Sequence, residues 1–75
     1  MKIEIEYCVP CGFLPRTMTL SEKLLRSFGQ KLDEVAIVTG DHGVFEVRGD
    51  GEVLFDIAED EYDVDEIVRR VKRAL

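Results

Sequence analysis

The sequence has no long apolar run and far fewer basic than acidic residues, and these absences exclude several classes of protein. No apolar run approaches the roughly 20 residues that a membrane-spanning helix needs. The first residues alternate in charge instead of forming the apolar block of a signal peptide. With 10 basic against 16 acidic residues and a formal net charge of -6, nothing favours contact with nucleic acid or an anionic membrane. We therefore expect a cytoplasmic protein that binds neither.

Side chains that bind metals are also scarce. His42 is the only histidine, and Cys8 and Cys11 are the only cysteines. A structural zinc ion usually takes four ligands, so two chains would have to share their cysteines to build a site. We therefore predict no metal and no other cofactor. In a reducing cytoplasm, a close cysteine pair is more often catalytic, redox-sensing or metal-binding than a permanent crosslink.

The composition is that of one small folded domain over residues 1–75. Hydrophobic residues make up 45% of the chain and charged residues 35%, a balance typical of globular proteins and not of disordered ones. We find no internal repeat, linker or low-complexity segment that would divide the chain.

The first third of the chain predicts a strand followed by a helix. Residues 2–7 alternate strictly, so Ile3, Ile5 and Tyr7 should face one way. Helical spacing then continues to Gly29, and Pro15 places the helix start near residues 12–15 because proline is tolerated only in a first turn. A capping box formed by Thr19 and Glu22 would give a later start. The expected buried stripe consists of Leu14, Met18, Leu24, Leu25 and Phe28.

Three more strands and a helix complete the order β-α-β-β-β-α. The strands are predicted at 35–39, 44–48 and 52–57, and the second should run parallel to the first because a helix crosses between them. After an acidic loop, Asp63 should cap the last helix. This is the core order of the thioredoxin-like fold with its middle helix reduced to a turn. We predict a two-layer α/β sandwich with a four-stranded mixed sheet, both helices on one face, and a polar open face.

The stretch Tyr7-Cys8-Val9-Pro10-Cys11-Gly12 is the candidate site. A strand that delivers a Cys-x-x-Cys pair to the start of a helix is the layout of a thiol redox site. The helix start offers unpaired N–H groups and a positive dipole end, which favour a reactive thiolate. We predict that Cys8 and Cys11 are catalytic, with Cys8 the more exposed attacking thiol and Cys11 the more buried resolving thiol. Pro10 stiffens the turn and offers no N–H to the sulfurs.

Four other residues are candidates for supporting roles, each with an ordinary structural alternative. Arg16 could hold a thiolate or a carboxylate, or could simply face solvent. His42, in the turn before the third strand, could lower a thiol pKa or contact a substrate, or could be a plain turn residue. Tyr7 and Phe13 could form an apolar rim for a protein substrate, or could pack in the core.

Longer motifs resemble the selenoprotein W-like family, often called Rdx proteins. They are Glu6-Tyr7-Cys8-x-x-Cys11-Gly12-Phe13, Pro15-Arg16, Phe28, Gly43-Val44-Phe45-Glu46-Val47 and Asp50-Gly51. The resemblance implies a thioredoxin-like fold and a thiol redox role with protein or glutathione disulfides as partners. Cys11 matches the position that is selenocysteine in some members, which suggests that this position can be the reactive one. The chain departs from the family pattern at Glu61-Tyr62-Asp63.

The sequence therefore predicts a small thiol–disulfide redox protein, a monomer or weak homodimer, that uses Cys8 and Cys11. The alternative is a metal-binding or non-catalytic interaction module built on the same two cysteines.

Overall fold

The computed structural model, which describes residues 1–75, has the predicted order of elements. The four strands are β1 (Lys2–Cys8), β2 (Glu34–Gly40), β3 (Phe45–Gly49) and β4 (Glu52–Asp56). The two helices are α1 (Leu14–Phe28) and α2 (Val64–Ala74), and a short 3-10 helix, Gly29–Lys31, follows α1. Neither α-helix is long and apolar enough to span a bilayer.

The strands form one mixed sheet in the order β2-β1-β3-β4. β1 runs parallel to β2, as predicted from the helix that crosses between them, and antiparallel to β3. β3 and β4 form an antiparallel hairpin. The last residue of the central strand β1, Cys8, is therefore flanked by the end of β2, where it pairs with Gly40, and by the segment that enters β3.

Both helices pack on one face of the sheet, which confirms the predicted two-layer sandwich. The alternation in β1 places Ile3, Ile5 and Tyr7 in one buried cluster with side chains of both helices: Leu20, Leu24, Ile67 and Val71. Polar side chains occupy the other face, where Arg48 lies 2.9 Å from Glu46, 3.1 Å from Glu6 and 3.8 Å from Glu4. The hydrogen bond to Glu46 raises the pKa of the Arg48 guanidinium above its ordinary value.

The helix boundaries are close to those predicted, including the caps. α1 begins at Leu14 with Pro15 as its second residue, and Thr19 lies inside it, so the late start is wrong. Gly29 ends α1 with a φ of 52°. At α2, the Asp63 carboxylate accepts hydrogen bonds from the backbone N–H groups of Asp65 and Glu66, at 3.0 and 3.2 Å. This confirms the predicted cap.

The predicted buried stripe of α1 is wrong in three positions. Leu14, Met18 and Leu25 are 48%, 51% and 51% exposed, whereas the buried positions are Thr17, Leu20, Ser21 and Leu24. Two polar residues can face the core because their hydroxyl groups are satisfied within the helix. Thr17 donates to the Phe13 carbonyl and Ser21 to the Thr17 carbonyl, each at 2.8 Å.

Candidate redox site

Cys8 and Cys11 are joined by a disulfide bond. Cys8 ends β1, and Cys11 lies in the turn between β1 and α1, three residues before the first residue of the helix. Their Cα atoms are 5.3 Å apart, within the range that disulfides span. The fold therefore brings together the two side chains that the sequence identified.

The two cysteines differ sharply in burial. Cys8 is fully buried and Cys11 is exposed, so the prediction that Cys8 is the more accessible thiol is wrong. Cys8 still belongs to the central strand, and its N–H donates to the Val44 carbonyl at 2.7 Å. Cys11 lies beyond the strand end, and Gly12 turns the chain away with a φ of 75°, a conformation that favours glycine. An incoming thiol would therefore meet Cys11 first.

The start of α1 follows Cys11 with its first-turn donors uncapped. Phe13 occupies the N-cap position and offers no side-chain hydrogen bond to the helix. The amino-terminal end of a helix carries unpaired N–H groups and a partial positive charge. This end of α1 therefore directly follows the pair in the chain, as the strand-to-helix layout predicted.

The turn between β2 and β3 flanks the pair, and His42 lies in it. The Val9 N–H donates to the Gly40 carbonyl at 3.1 Å, which fixes one side of the turn against the loop of the cysteines. The His42 side chain is 90% exposed, and its Nδ1 lies 2.6 Å from Asp41 Oδ1. No hydrogen bond joins His42 to either cysteine, so its observed contact is with its own neighbour in the turn.

Arg16, in the first turn of α1, lies between aromatic rings. Its guanidinium carbon is 4.5 Å from the centre of the Phe13 ring and 4.6 Å from that of Tyr62. Phe45 packs edge-on against both rings, with centroid distances of 6.1 and 5.6 Å. The Tyr62 hydroxyl donates to the Arg16 carbonyl at 3.3 Å. Burial raises the pKa of the Tyr62 phenol, and the charge of Arg16 opposes that rise.

Two of these residues were missed by the sequence reasoning. Phe45 pairs with Tyr7 across β1 and β3, so the strand register could have placed it at the end of the sheet that carries Cys8. Tyr62 was noted only as a departure from the family pattern. Its position as the lone aromatic residue in an acidic loop was the available signal.

The predicted apolar rim is only partly present. Tyr7 is 8% exposed and belongs to the core, because the alternation of β1 directs it toward the helices. The assignment of Tyr7 to the rim is therefore wrong. Phe13, in contrast, is only half-buried, so part of its side chain remains accessible. Val9, at 50% exposure, and Pro10 lie exposed between the cysteines, and Leu14 is exposed at the helix start.

No group of three or more histidine, cysteine, aspartate and glutamate side chains in the structure could hold a metal ion.

Comparisons with known proteins agree with this fold. A crystal structure of a protein from Bordetella parapertussis is 34% identical, with a TM-score of 0.91, over 99% of this chain and 96% of that one. A selenoprotein W-related protein from Vibrio cholerae is 27% identical, with a TM-score of 0.89, over 97% of this chain and 94% of that one. No match is found among curated proteins. The family model that describes the Rdx family matches residues 2–73. Since that match spans nearly the whole sequence, including both cysteines, the chain belongs to the Rdx family.

Proposed function

We propose that this protein is a thiol–disulfide oxidoreductase in which Cys11 exchanges with a substrate disulfide and Cys8 resolves the product. The observation that carries the proposal is a disulfide between one buried and one exposed cysteine. Exchange requires a sulfur that another thiol can reach, and Cys11 is the exposed partner. Membership of the Rdx family and the match of Cys11 to its selenocysteine position support the same assignment.

The reaction follows from ordinary thiol exchange. The Cys11 thiolate attacks one sulfur of the substrate disulfide, forms a mixed disulfide and releases the other sulfur as a thiolate. The Cys8 thiolate then attacks the Cys11 sulfur, which forms the Cys8–Cys11 disulfide and releases the second substrate thiolate. The substrate gains two electrons from the cysteine pair, and the two protons lost by the pair enter solvent and then protonate the released thiolates. An external thiol reductant restores the pair.

Protein or glutathione disulfides are the substrates that we propose, since several members of the family are linked to glutathione and a protein disulfide presents the same bond to an exposed thiol. We propose the cytoplasm as the location because its thiol pool would reduce the pair after each cycle. The metal-binding alternative would need two chains to share their cysteines, because a structural zinc ion usually takes four ligands and one chain brings no group of three or more potential ligands together.

A reduction assay tests the proposal. Protein reduced beforehand and freed of reductant is mixed with glutathione disulfide or a small protein disulfide, and the release of thiols is followed. We expect two thiols to be released per protein molecule, and none from the variant with both Cys8→Ser and Cys11→Ser. A wild-type rate no greater than that of the double variant with either substrate would reject the function.

A further inference from the structure

Arg16 is distinguished by its lack of a partner in an acidic protein. Every other arginine has a carboxylate oxygen within 3.1 Å: Arg26, Arg48, Arg69, Arg70 and Arg73. The Arg16 guanidinium contacts no carboxylate and donates no hydrogen bond, although the chain carries 16 acidic residues. A planar guanidinium has five N–H donors suited to a carboxylate, and those of Arg16 are unused.

The aromatic rings hold this unpaired group in place. Phe13 and Tyr62 each lie within 4.6 Å of the guanidinium carbon, and such cation–π contacts hold the charged group against the ring faces. Its N–H groups form no hydrogen bond in the structure and stay available to a ligand. The hydrogen bond from Tyr62 to the Arg16 carbonyl ties the backbone to the same loop. A receptor fixed before binding loses less entropy when it takes a ligand.

The position of Arg16 connects it with the cysteines. It is the third residue of α1, and that helix begins three residues after Cys11. Phe13, which stacks on Arg16, lies only two residues after Cys11, and Phe45 beneath the cluster pairs with Tyr7, next to Cys8. Arg16 therefore lies in the first turn of the helix that directly follows the exposed cysteine.

We propose that Arg16 binds a carboxylate of the disulfide substrate and gives the protein a preference for disulfides with a carboxylate near the sulfur. This inference rests on the proposed function. The carboxylate orients the disulfide for attack by Cys11, and the electron transfer is the exchange already described. The carboxylate belongs either to a small-molecule thiol or to an acidic side chain beside a cystine in a peptide, because both present the same group to the guanidinium. The net charge of -6 repels anionic substrates at long range, so a local cation is needed to reverse the preference.

The test measures how fast the reduced protein reacts with two matched synthetic disulfides. 3,3'-Dithiodipropionic acid carries two carboxylates, and its diamide is neutral and nearly identical in shape. Rate constants for both are measured at low salt and divided by those of free 2-mercaptoethanol, which removes differences in intrinsic reactivity. We expect wild-type protein to favour the diacid and Arg16→Met to lower its rate about tenfold, with the diamide rate unchanged. A second pair, peptide disulfides with Glu or Gln beside the cysteine, identifies which source of carboxylate is preferred.

Matched controls separate this role from fold and overall charge. Arg26→Met removes one charge from the same helix but leaves Arg16 in place, so it should preserve the preference for the diacid. The wild-type protein itself should prefer the diacid, which tests the proposal even if Arg16→Met does not fold. Equal loss for diacid and diamide in Arg16→Met, or a wild-type protein with no preference for the diacid, would overturn the role of Arg16 while leaving the oxidoreductase intact. A wild-type protein that reduces none of these disulfides would reject the proposed function and this inference with it.

Discussion

Cys8 and Cys11 are separated by two residues, yet one is fully buried and the other is exposed. The motif predicts that the two sulfurs meet, and they do. The motif does not say where the strand ends. β1 continues through Cys8, and α1 starts only at Leu14. The second cysteine therefore lies in the turn between them and is the exposed one.

The contact between Arg16 and Tyr62 can be tested without an activity assay. Burial raises the pKa of the Tyr62 phenol and the positive charge of Arg16 opposes that rise. Arg16→Met keeps apolar cover on the ring but removes the charge, so the pKa of Tyr62 should rise further. In a Tyr7→Phe background, where Tyr62 is the only tyrosine, ultraviolet absorbance of the phenolate reports this titration. An unchanged Tyr62 pKa would contradict the observed stacking.

Glu66 should make the stability of the fold depend on acid. Hydrogen bonds from Arg70 and Arg69 lower the pKa of its carboxyl below the ordinary value of 4.5. A carboxyl whose pKa is lower in the folded state stabilises the fold above its unfolded-state pKa, and the contribution is lost as pH falls through the folded-state value. Glu66→Gln should therefore unfold at a lower temperature than wild type at neutral pH, and the difference should shrink below about pH 4.5.

Glu59→Gln is the matched control for this prediction, because the Glu59 side chain makes no ion pair or hydrogen bond in the structure. Its melting temperature should follow that of wild type across the same pH range. A difference between Glu66→Gln and wild type that stays constant from neutral pH to pH 3 would contradict the role given to these arginines.

Among the elements, the strands were the easiest to predict and the buried face of α1 was the hardest. Strict alternation defines which side of β1 is buried, because a strand has only two faces. α1 carries two apolar stripes at helical spacing, one through Leu20 and Leu24 and the other through Leu14, Met18 and Leu25. Spacing alone does not rank them, since polar residues with hydroxyls satisfied inside the helix, Thr17 and Ser21, can lie between core residues.

Neighbouring leucines of α1 provide a direct check of this assignment. Leu24 is fully buried and Leu25 is 51% exposed. Leu24→Ala should lower the free energy of unfolding by about 2–5 kcal/mol because it leaves a cavity in the core. Leu25→Ala should change it by about 0.5 kcal/mol or less. Urea denaturation of the two variants measures both values, and similar losses would show that the helix faces are assigned wrongly.

At the scale of the whole molecule, the site combines one local motif with distant parts of the chain. The Cys-x-x-Cys spacing, the start of α1 and the order of elements could be predicted because each depends on residues close in sequence. The stacking of Tyr62 on Arg16 joins positions 46 residues apart, and the turn between β2 and β3 reaches the pair through sheet pairing. These contacts depend on how the sheet and helices pack, which periodicity does not reveal.

The proposed exchange mechanism depends on the fold exposing Cys11 to incoming thiols while Cys8 stays buried. The most direct measurement reacts reduced Cys8→Ser and Cys11→Ser variants separately with excess disulfide and follows the mixed disulfide by mass spectrometry. We predict that Cys8→Ser forms a lasting adduct at Cys11, and that Cys11→Ser reacts about 100-fold more slowly because a buried thiol is inert. Rapid adduct formation at Cys8 in Cys11→Ser, with little at Cys11 in Cys8→Ser, would contradict the account.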